Sequence, residues 1–502
     1  MKKNQVTLIY PGQGTMTQAR KSWLGKKISL RLPLPILFLA PPLQKKGYTI
    51  KILDLRLDNF EQYDFSNDLC VGISALTGGQ IFQGLQAAKF VKNKFKDLPI
   101  VWGGIHPTLF QEQTIKNPFV DIIVKHEGEE TFSALVEVLS KEGWNESSLR
   151  NIPGIVFKDK EGIMVNNPDR SFLDFNSIEL PAYDLVEMNR YFGIQNTFDY
   201  QSSRGCPFDC GFCYNKAFNK LRWRPKSAEL VVDELEFLHK KYKVKEFAIV
   251  DDEFFINKNR DTKIVELLIE REQRFKWSAF CRFDSFSRLD SSFLIKLKES
   301  GMEQIWMGAE SGNIDVLNYY TKKIEIDQIL DAARRTQDIG IKPAVSFMMG
   351  SIKESEKSIN DTLNLYDKII ELNPLAEING IFVYTPYPGT NMYDDSINNG
   401  FNPPQSLEEW GTWEFNYKFN HKWLDKKLLE KIKIIGYIAR FNFFTREFLY
   451  RNRNNKTAIM IYKFFSFPFI ISVKIRWSRR FFNFAYEWKL WAFVVRKMIG
   501  FI

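Results

Sequence analysis

Three of the five cysteines, Cys206, Cys210 and Cys213, fall within eight residues in the segment Gln201-Ser-Ser-Arg-Gly-Cys206-Pro-Phe-Asp-Cys210-Gly-Phe-Cys213-Tyr-Asn215. Thiolates are the soft ligands that iron-sulfur clusters require. Three of them, rather than four, leave one iron of a [4Fe-4S] cluster without a protein ligand and open to chemistry. The competing reading is a zinc site, which wants a fourth ligand and usually a CxxC pair. Cys70 and Cys281 lie in strand-like apolar runs and are expected as buried core thiols. An odd, clustered set is no disulfide framework, so a reducing compartment is expected.

Thiols in a short loop must be held by the elements on either side. The loop follows Tyr200 to Arg204, the first of six β-like runs that continue with Glu246 to Val250, Trp277 to Arg282, Gln304 to Gly308, Ala344 to Met349 and Ile378 to Tyr384. Amphipathic stretches such as Ala228 to Tyr242 and Gln328 to Asp338 lie between them. Six such units predict a partial (β/α)6 barrel over 199–420, with its chemistry at the carboxyl ends of the strands. Residues 1–145 alternate short β-branched runs (Val6 to Tyr10, Ile50 to Leu55, Leu69 to Ser74, Pro99 to Gly104, Ile122 to Val124) with helical stretches, which predicts an α/β fold with a Rossmann-like parallel sheet. Its loops Pro11-Gly12-Gln13-Gly14, Thr77-Gly78-Gly79 and Gly103-Gly104-Ile105-His106-Pro107 would form the ligand crevice. Turn signals at Asn151-Ile152-Pro153-Gly154, Asn166-Asn167-Pro168 and Leu180-Pro181 predict a connector over 146–198. Two or three domains suit the 502 residues.

Apolar residues at 44% and charged residues at 26% exclude a disordered chain and a polytopic membrane protein. The net charge of +10 is local: 421–502 hold 18 Lys and Arg against Asp425, Glu430, Glu447 and Glu487, a net +14, which leaves −4 for 1–420. The same 82 residues hold 21 aromatic residues, and a basic aromatic helical tail is expected there. Such a composition suits either a cap over the barrel mouth or peripheral contact with a membrane interface. The apolar run Thr457 to Val473 is 17 residues long and interrupted by Lys463 and Pro468, short for a span. No nucleic acid is expected, because no reading motif is present. Val6 to Tyr10 is only strand-length, so no signal peptide is read, and a cytoplasmic address, with membrane association through the tail, is expected.

The CxxxCxxC after a first barrel strand, with Phe212 beside the third cysteine, resembles the radical S-adenosylmethionine superfamily. The resemblance implies a [4Fe-4S] cluster whose open iron chelates S-adenosylmethionine and cleaves it reductively to a 5′-deoxyadenosyl radical, with an electron donor as partner. Val250-Asp251-Asp252-Glu253 is similar to the acidic strand end that meets the S-adenosylmethionine amino group, which makes Asp252 and Glu253 candidates. Gly308-Ala309-Glu310-Ser311-Gly312 looks like the family's G-x-E-S-G, assigning Glu310 and Ser311 to the ribose and methionine portions. Phe347 to Glu354 resembles the adenine side, and Tyr384 to Thr390 a common P-x-P-G-T ending. Arg282 would meet the S-adenosylmethionine carboxylate or pair with Asp284.

With Val101 to Thr108 and Lys125 to Phe132, the N-terminal domain resembles the cobalamin-binding class, and the likeness spans roughly residues 1 to 400. Gly78, Gly79, Gly103 and Gly104 would let backbone approach the corrin and its nucleotide tail. Where related domains supply an axial histidine in D-x-H-x-x-G, this chain reads Asp54-Leu55-Arg56-Leu57-Asp58-Asn59, and Arg56 cannot coordinate cobalt. His106 is the alternative ligand or a local cap; His126, His239 and His421 read as structural. The class implies C-methylation of an unactivated carbon in a small molecule, for which the aromatic tail suggests a lipid-like or polycyclic substrate. Oxidative cyclisation or rearrangement, and a sensor without turnover, are the alternatives.

Overall fold

The computed structural model describes residues 3–12, 30–192, 197–413 and 421–499. Gln13 and Gly14 of the first glycine loop lie outside them. In the first sheet, β1 (Gln5–Tyr10) sits between β2 (Thr49–Asp54) and β3 (Asp68–Ser74), followed by β4 (Ile100–Gly103) and β5 (Ile122–Val124), all parallel. These strands are apolar runs because helices such as α1 (Gly79–Lys94) and α2 (Glu129–Glu142) bury the sheet. The strand order reverses between β1 and β3, which opens a crevice at their carboxyl ends.

The stretch expected as a connector does more than connect. Strands β6 (Ile155–Lys158) and β7 (Met164–Asn166) add an antiparallel hairpin, so the first sheet is mixed and seven-stranded. The turn signals are real, but they bracket a hairpin that shields the three-residue edge strand β5 and buries Ile155, Val156 and Phe157 completely.

The second sheet runs β8 (Thr197–Tyr200), β9 (Glu246–Ile249), β10 (Lys276–Phe280), β11 (Met302–Glu310), β12 (Lys342–Met349) and β13 (Glu377–Val383), parallel and in sequence order. This is the open, six-unit barrel that the periodicity predicts, except that its first strand ends at Tyr200, where the run Tyr200 to Arg204 is expected to begin, and Ser203-Arg204 pairs instead with Arg224-Pro225 in a separate two-stranded ladder. Helices α3 (Ala228–Tyr242), α4 (Lys258–Glu270), α5 (Ser291–Glu299), α6 (Ile326–Asp338) and α7 (Glu356–Leu372) follow successive strands. Ser227, Asn257, Asp290 and Ser355 start four of them by accepting a first-turn backbone N–H, which fixes where each βα loop ends.

An open barrel leaves β13 as an edge. Helix α8 (Lys426–Arg451) lies against it and buries Ile432, Ile435 and Ile438 completely, and α9 (Lys456–Ser478) and α10 (Tyr486–Ile499) follow. Before the tail, the chain returns to the first domain as a strap: Trp410 is fully buried in that domain's core and donates through Nε1 to Gln113 Oε1 at 2.6 Å.

Candidate functional site

A cavity of about 670 Å³ opens between the carboxyl ends of the two sheets. Tyr10, Ser74, Gly103 and Gly104 form one wall, and Asp251, Asp252 and Phe280 the other. Gly205 and Tyr214, which flank the three cysteines, also line it.

The cysteine loop is anchored on several sides. Gly205 has φ +78, and a Cβ there would lie 2.0 Å from the Arg222 carbonyl, so only glycine fits. The Asn215 amide donates to the Cys206 carbonyl at 2.5 Å, Gly211 N to the Tyr320 carbonyl at 2.8 Å, and Thr321 Oγ1 to the Asp209 carbonyl at 2.6 Å. Cys210 is buried, and Cys206 and Cys213 are half-buried. Burial pushes the Cys206 and Cys213 thiols up to about 12, so both hold their protons until a cation offsets the cost of ionising them. Among the described residues, no three His, Cys, Asp or Glu side chains converge on a single-ion position. Cys70 and Cys281 are buried in the cores of the two domains.

Arg282 belongs to this site. Its Nη1 donates to Cys210 Sγ at 3.1 Å, its Nε to Asp284 Oδ1 at 2.9 Å and its Nη2 to the Lys322 carbonyl, while its guanidinium lies 3.9 Å from the Phe208 ring centroid. The ion pair with Asp284 weighed from the sequence is therefore present. Asp251 is locked by Ser202 N, Ser202 Oγ and Ser203 Oγ at 2.6 to 2.7 Å, whereas Asp252 is exposed and accepts from Gly205 N at 3.0 Å. Glu253 lies behind them, buried, with Oε1 unpartnered; burial raises its carboxyl to about 7.

The G-x-E-S-G segment divides. A Cβ on Gly308 would sit 2.1 Å from Glu310 Oε1, so this glycine makes room for the Glu310 carboxylate, which folds back to Lys322 Nζ at 2.9 Å. Glu310 itself adopts φ 60, a left-handed conformation rarely taken outside glycine. Ser311 turns away: its hydroxyl meets Thr362 Oγ1 at 3.2 Å and it is buried under α7. Phe212 packs edge-on against Tyr320 at 5.7 Å.

On the other wall, Gly103 and Gly104 face the cavity, but Gly78 and Gly79 do not. A Cβ on Gly78 would lie 2.4 Å from the Trp413 carbonyl, so this position is reserved for the returning strap, and Gly79 opens α1. Arg56 is buried, holds Asp54 through Nε at 2.9 Å and stacks over Tyr10 at 4.6 Å. His106 is also buried behind the wall, with Thr77 Oγ1 at 3.0 Å from Nδ1 and the Trp410 ring at 5.5 Å, and burial depresses its pKa to about 3. It does not line the cavity.

One set of residues was not singled out from the sequence. Arg204, two positions before Cys206, reaches across the domain boundary to Glu127 Oε1 at 2.9 Å and Glu129 Oε1 at 2.6 Å, and Arg224 joins Glu127 at 2.6 Å. The Arg204 guanidinium is packed between the Phe38 and Phe175 rings. Arg204, Glu127 and Glu129 lie in recognised motifs, but a partnership between segments 75 residues apart leaves no mark in local spacing.

Comparison with known proteins agrees with this architecture. The B12 binding domain model matches residues 32–136, and the Radical SAM superfamily model matches residues 200–366. An uncharacterized methyltransferase, PH0819 of Pyrococcus horikoshii, is 30% identical over 81% of this chain and 88% of its own length. The anaerobic magnesium-protoporphyrin IX monomethyl ester cyclase of Rubrivivax gelatinosus is 27% identical over 72% of this chain and 66% of its own, and the hopanoid C-3 methylase of Methylococcus capsulatus 26% over 73% and 69%. Among solved structures, the cobalamin-dependent S-adenosylmethionine radical enzyme OxsB, with aqua-cobalamin and S-adenosylmethionine bound, shares the fold at a TM-score of 0.66 and 18% identity, over 92% of this chain and 75% of that one.

The family's cofactors are a [4Fe-4S] cluster, S-adenosylmethionine and cobalamin. The residues present fit them: three thiols with no fourth, an unpartnered Glu253 oxygen beside them, and a wide crevice at the switch point of the first sheet. With both domains matched and most of a 30% identical relative covered, the chain belongs to the cobalamin-binding radical S-adenosylmethionine enzymes.

Proposed function

We propose that this enzyme methylates an unactivated carbon of an apolar small molecule. The observation that carries the reading is the cavity shared by the carboxyl ends of both sheets. A substrate carbon held there faces the cysteine loop on one side and the Gly103-Gly104 wall on the other. When bound, the cluster and S-adenosylmethionine would supply a hydrogen-abstracting radical and cobalamin a methyl group. Cys206, Cys210 and Cys213 would hold the cluster. Arg282 fixes Cys210 and adds positive charge beside its sulfur. Asp252, Glu253 and Glu310 are read as the polar contacts of S-adenosylmethionine, with Lys322 orienting Glu310. Gly103 and Gly104 give the cobalamin side a flat surface. Arg204, Glu127 and Glu129 are positioning residues that hold the two walls at a fixed separation.

The inward face of the barrel supports an apolar substrate. Phe280 and Trp306 are register partners on β10 and β11, 5.9 Å apart, and Phe280 and Phe382 keep 37% and 43% of their surface exposed. Aromatic side chains left bare on a barrel lining await an apolar occupant and exclude water from it. The hopanoid methylase among the relatives is in keeping with a lipid-like substrate, and the basic aromatic tail is read as the part of the chain that meets a bilayer.

Anaerobic turnover with methyl-labelled S-adenosylmethionine and a low-potential reductant tests the reading on extracts of candidate lipids. Label in a carbon-bound methyl group of the product is expected, together with 5′-deoxyadenosine. Oxidative cyclisation is favoured by the similarity to the ester cyclase, and 5′-deoxyadenosine with an unlabelled, dehydrogenated product would decide for it. Absence of 5′-deoxyadenosine from enzyme with an intact cluster would decide for a sensor.

A further inference from the structure

Helix α9 is apolar on two faces, and only one is used. On the inner face, Trp477 packs on Tyr366 at 4.8 Å and donates through Nε1 to Asp367 Oδ1 at 2.7 Å, Phe469 packs on Phe441 and Trp488, and Tyr462 stacks on Phe448 at 4.3 Å. The outer face carries Met460, Phe464, Phe467, Ile471 and Ile475 at intervals of three and four residues, with Ile461 and Phe465 beside them. Phe464 and Phe465 are 77% and 75% exposed. Helix α10 repeats the arrangement: Trp488 and Ala492 point inward, while Tyr486, Leu490 and Phe493 are exposed, and Phe481 and Phe484 between the helices are exposed too.

Folding alone does not explain this surface, since water-facing helix positions are ordinarily polar. Charge indicates what covers it. Lys456, Lys463 and Lys474 are exposed, and their intervals of seven and eleven residues return to one side of a helix, so they form a row along one margin of the apolar face. Lysines beside inserted aromatics suit the boundary between acyl chains and anionic headgroups.

Helix α9 has the length and composition to cross a membrane, alone in this among the described residues. Its inner face, however, is bonded to α7 near its carboxyl end, to α8 near its amino end and to α10 through Arg476 to Glu487 at 2.6 Å. A helix tied at one end to α7 of the barrel and at the other to α8, which covers β13, lies on a bilayer rather than through it. Pro468 lies inside the helix without ending it.

We propose that α9, α10 and the turn between them form a monotopic docking surface for an anionic lipid bilayer, with the outer Phe and Ile side chains inserted and the Lys456, Lys463 and Lys474 row on the headgroups. This deepens the reading of the tail given with the proposed function, and it holds whatever bond the barrel makes. Docking would deliver an amphiphilic substrate without passage through water.

The test is flotation of the anaerobically purified full chain with vesicles of phosphatidylcholine alone, or of equal parts phosphatidylcholine and phosphatidylglycerol. Binding to the anionic vesicles is expected, falling on the order of a hundred-fold in the double variant Phe464→Glu, Phe465→Glu. Lys456→Gln, Lys463→Gln, Lys474→Gln should lose about five-fold per lysine on anionic vesicles. Both variants should keep wild-type cluster content and uncoupled 5′-deoxyadenosine formation, which separates a failure of docking from a failure of the catalytic reading. Equal binding by wild type and the Phe variant, no binding by wild type, or a lipid-free dimer that the Phe variant dissolves would overturn the proposal, the last by assigning the face to a second copy of this chain.

Discussion

The two walls of the cavity are built by opposite rules. Beside Phe280, the barrel side carries polar groups held by other polar groups: Asp251 on the cavity wall by two serines and, off the cavity lining, Arg282 between Cys210 and Asp284, and Glu310 by Lys322. The facing wall offers bare backbone at Gly103 and Gly104, at the end of β4, and Ser74 at the end of β3, among larger side chains such as Tyr10 and His126. A wall that must hold charged, reactive groups in fixed geometry needs a supporting shell of hydrogen bonds, because each buried polar group without a partner costs about 1 to 3 kcal/mol, and a charged one more. A wall that receives a broad flat face needs a stretch of backbone bare of side chains, as at Gly103 and Gly104. Damage to the first should therefore abolish chemistry, and damage to the second should weaken binding by degrees.

The largest effect is expected at the cluster. Cys210→Ala removes the thiol on which Arg282 rests, and 5′-deoxyadenosine formation should fall by at least about a thousand-fold, a loss of more than roughly 4 kcal/mol in barrier terms. Cobalamin binding to the other wall should be retained. Cleavage at wild-type rate in this variant would remove the cysteine loop from the mechanism altogether.

Next comes the link between the walls. Arg204→Ala leaves Glu129 buried without its cation and Glu127 with Arg224 alone, and removing one partner of such a group costs about 3 to 5 kcal/mol. The expected signature beyond lower stability is uncoupling: 5′-deoxyadenosine continues to form, but methylated product per 5′-deoxyadenosine drops, because the two walls no longer keep their separation. Arg204→Lys should restore stability more than coupling, since a single ammonium cannot reach both carboxylates in the fork geometry. A ratio unchanged from wild type in both variants would reduce the trio to a purely structural bridge.

Local patterns in the chain made the strands of both sheets legible, because two periodicities, β-branched runs and amphipathic helices, are written in neighbouring residues. The cysteine loop was legible for the same reason. Contacts between distant segments were not. Gly78 reads as a ligand-loop glycine, but its freedom is spent on the carbonyl of Trp413, more than three hundred residues away in the chain. Ser311 carries a motif's expected side chain into a bond with Thr362. Residues 155–166 look like a connector because their turns are strong and their strands short, and only the open edge of β5 turns them into sheet. The tail's composition was plain, but which of its aromatics are buried depends on the edge strand β13 that α8 covers.

Two glycines sharpen the comparison of walls. Gly104 has φ +96, and its Cβ would meet the Ala75 carbonyl at 2.9 Å; Gly78 has φ +106 and meets Trp413 at 2.4 Å. Alanine at either should cost about 1 to 3 kcal/mol of stability from backbone strain. Only Gly104→Ala should also weaken cobalamin, by about ten-fold, equivalent to roughly 1.4 kcal/mol, as read by the absorbance change on titration. Equal affinity in both variants would mean that the Gly103-Gly104 turn does not meet the cofactor.

The smallest effect lies on the seam between the walls. His126, at φ 54, donates through Nδ1 to the carbonyl of Phe218 on the short helix after the cysteines, at 2.9 Å. Burial lowers its pKa below the ordinary histidine value; the Phe218 carbonyl and Asp169 oppose that shift, while Lys220 and Lys125 reinforce it. A histidine depressed in the folded state contributes stability that is fully present above its unfolded pKa, about 6.5, and lost as pH falls through the folded value. Between about pH 8 and pH 6 the wild-type melting temperature should therefore fall slightly more than that of His126→Asn, by the equivalent of less than about 1 kcal/mol. Asparagine is the suitable replacement because it tolerates positive φ and does not titrate. Parallel pH profiles for the two proteins would show that the seam holds without this histidine, leaving the Arg204 link as the feature that sets the distance between the walls.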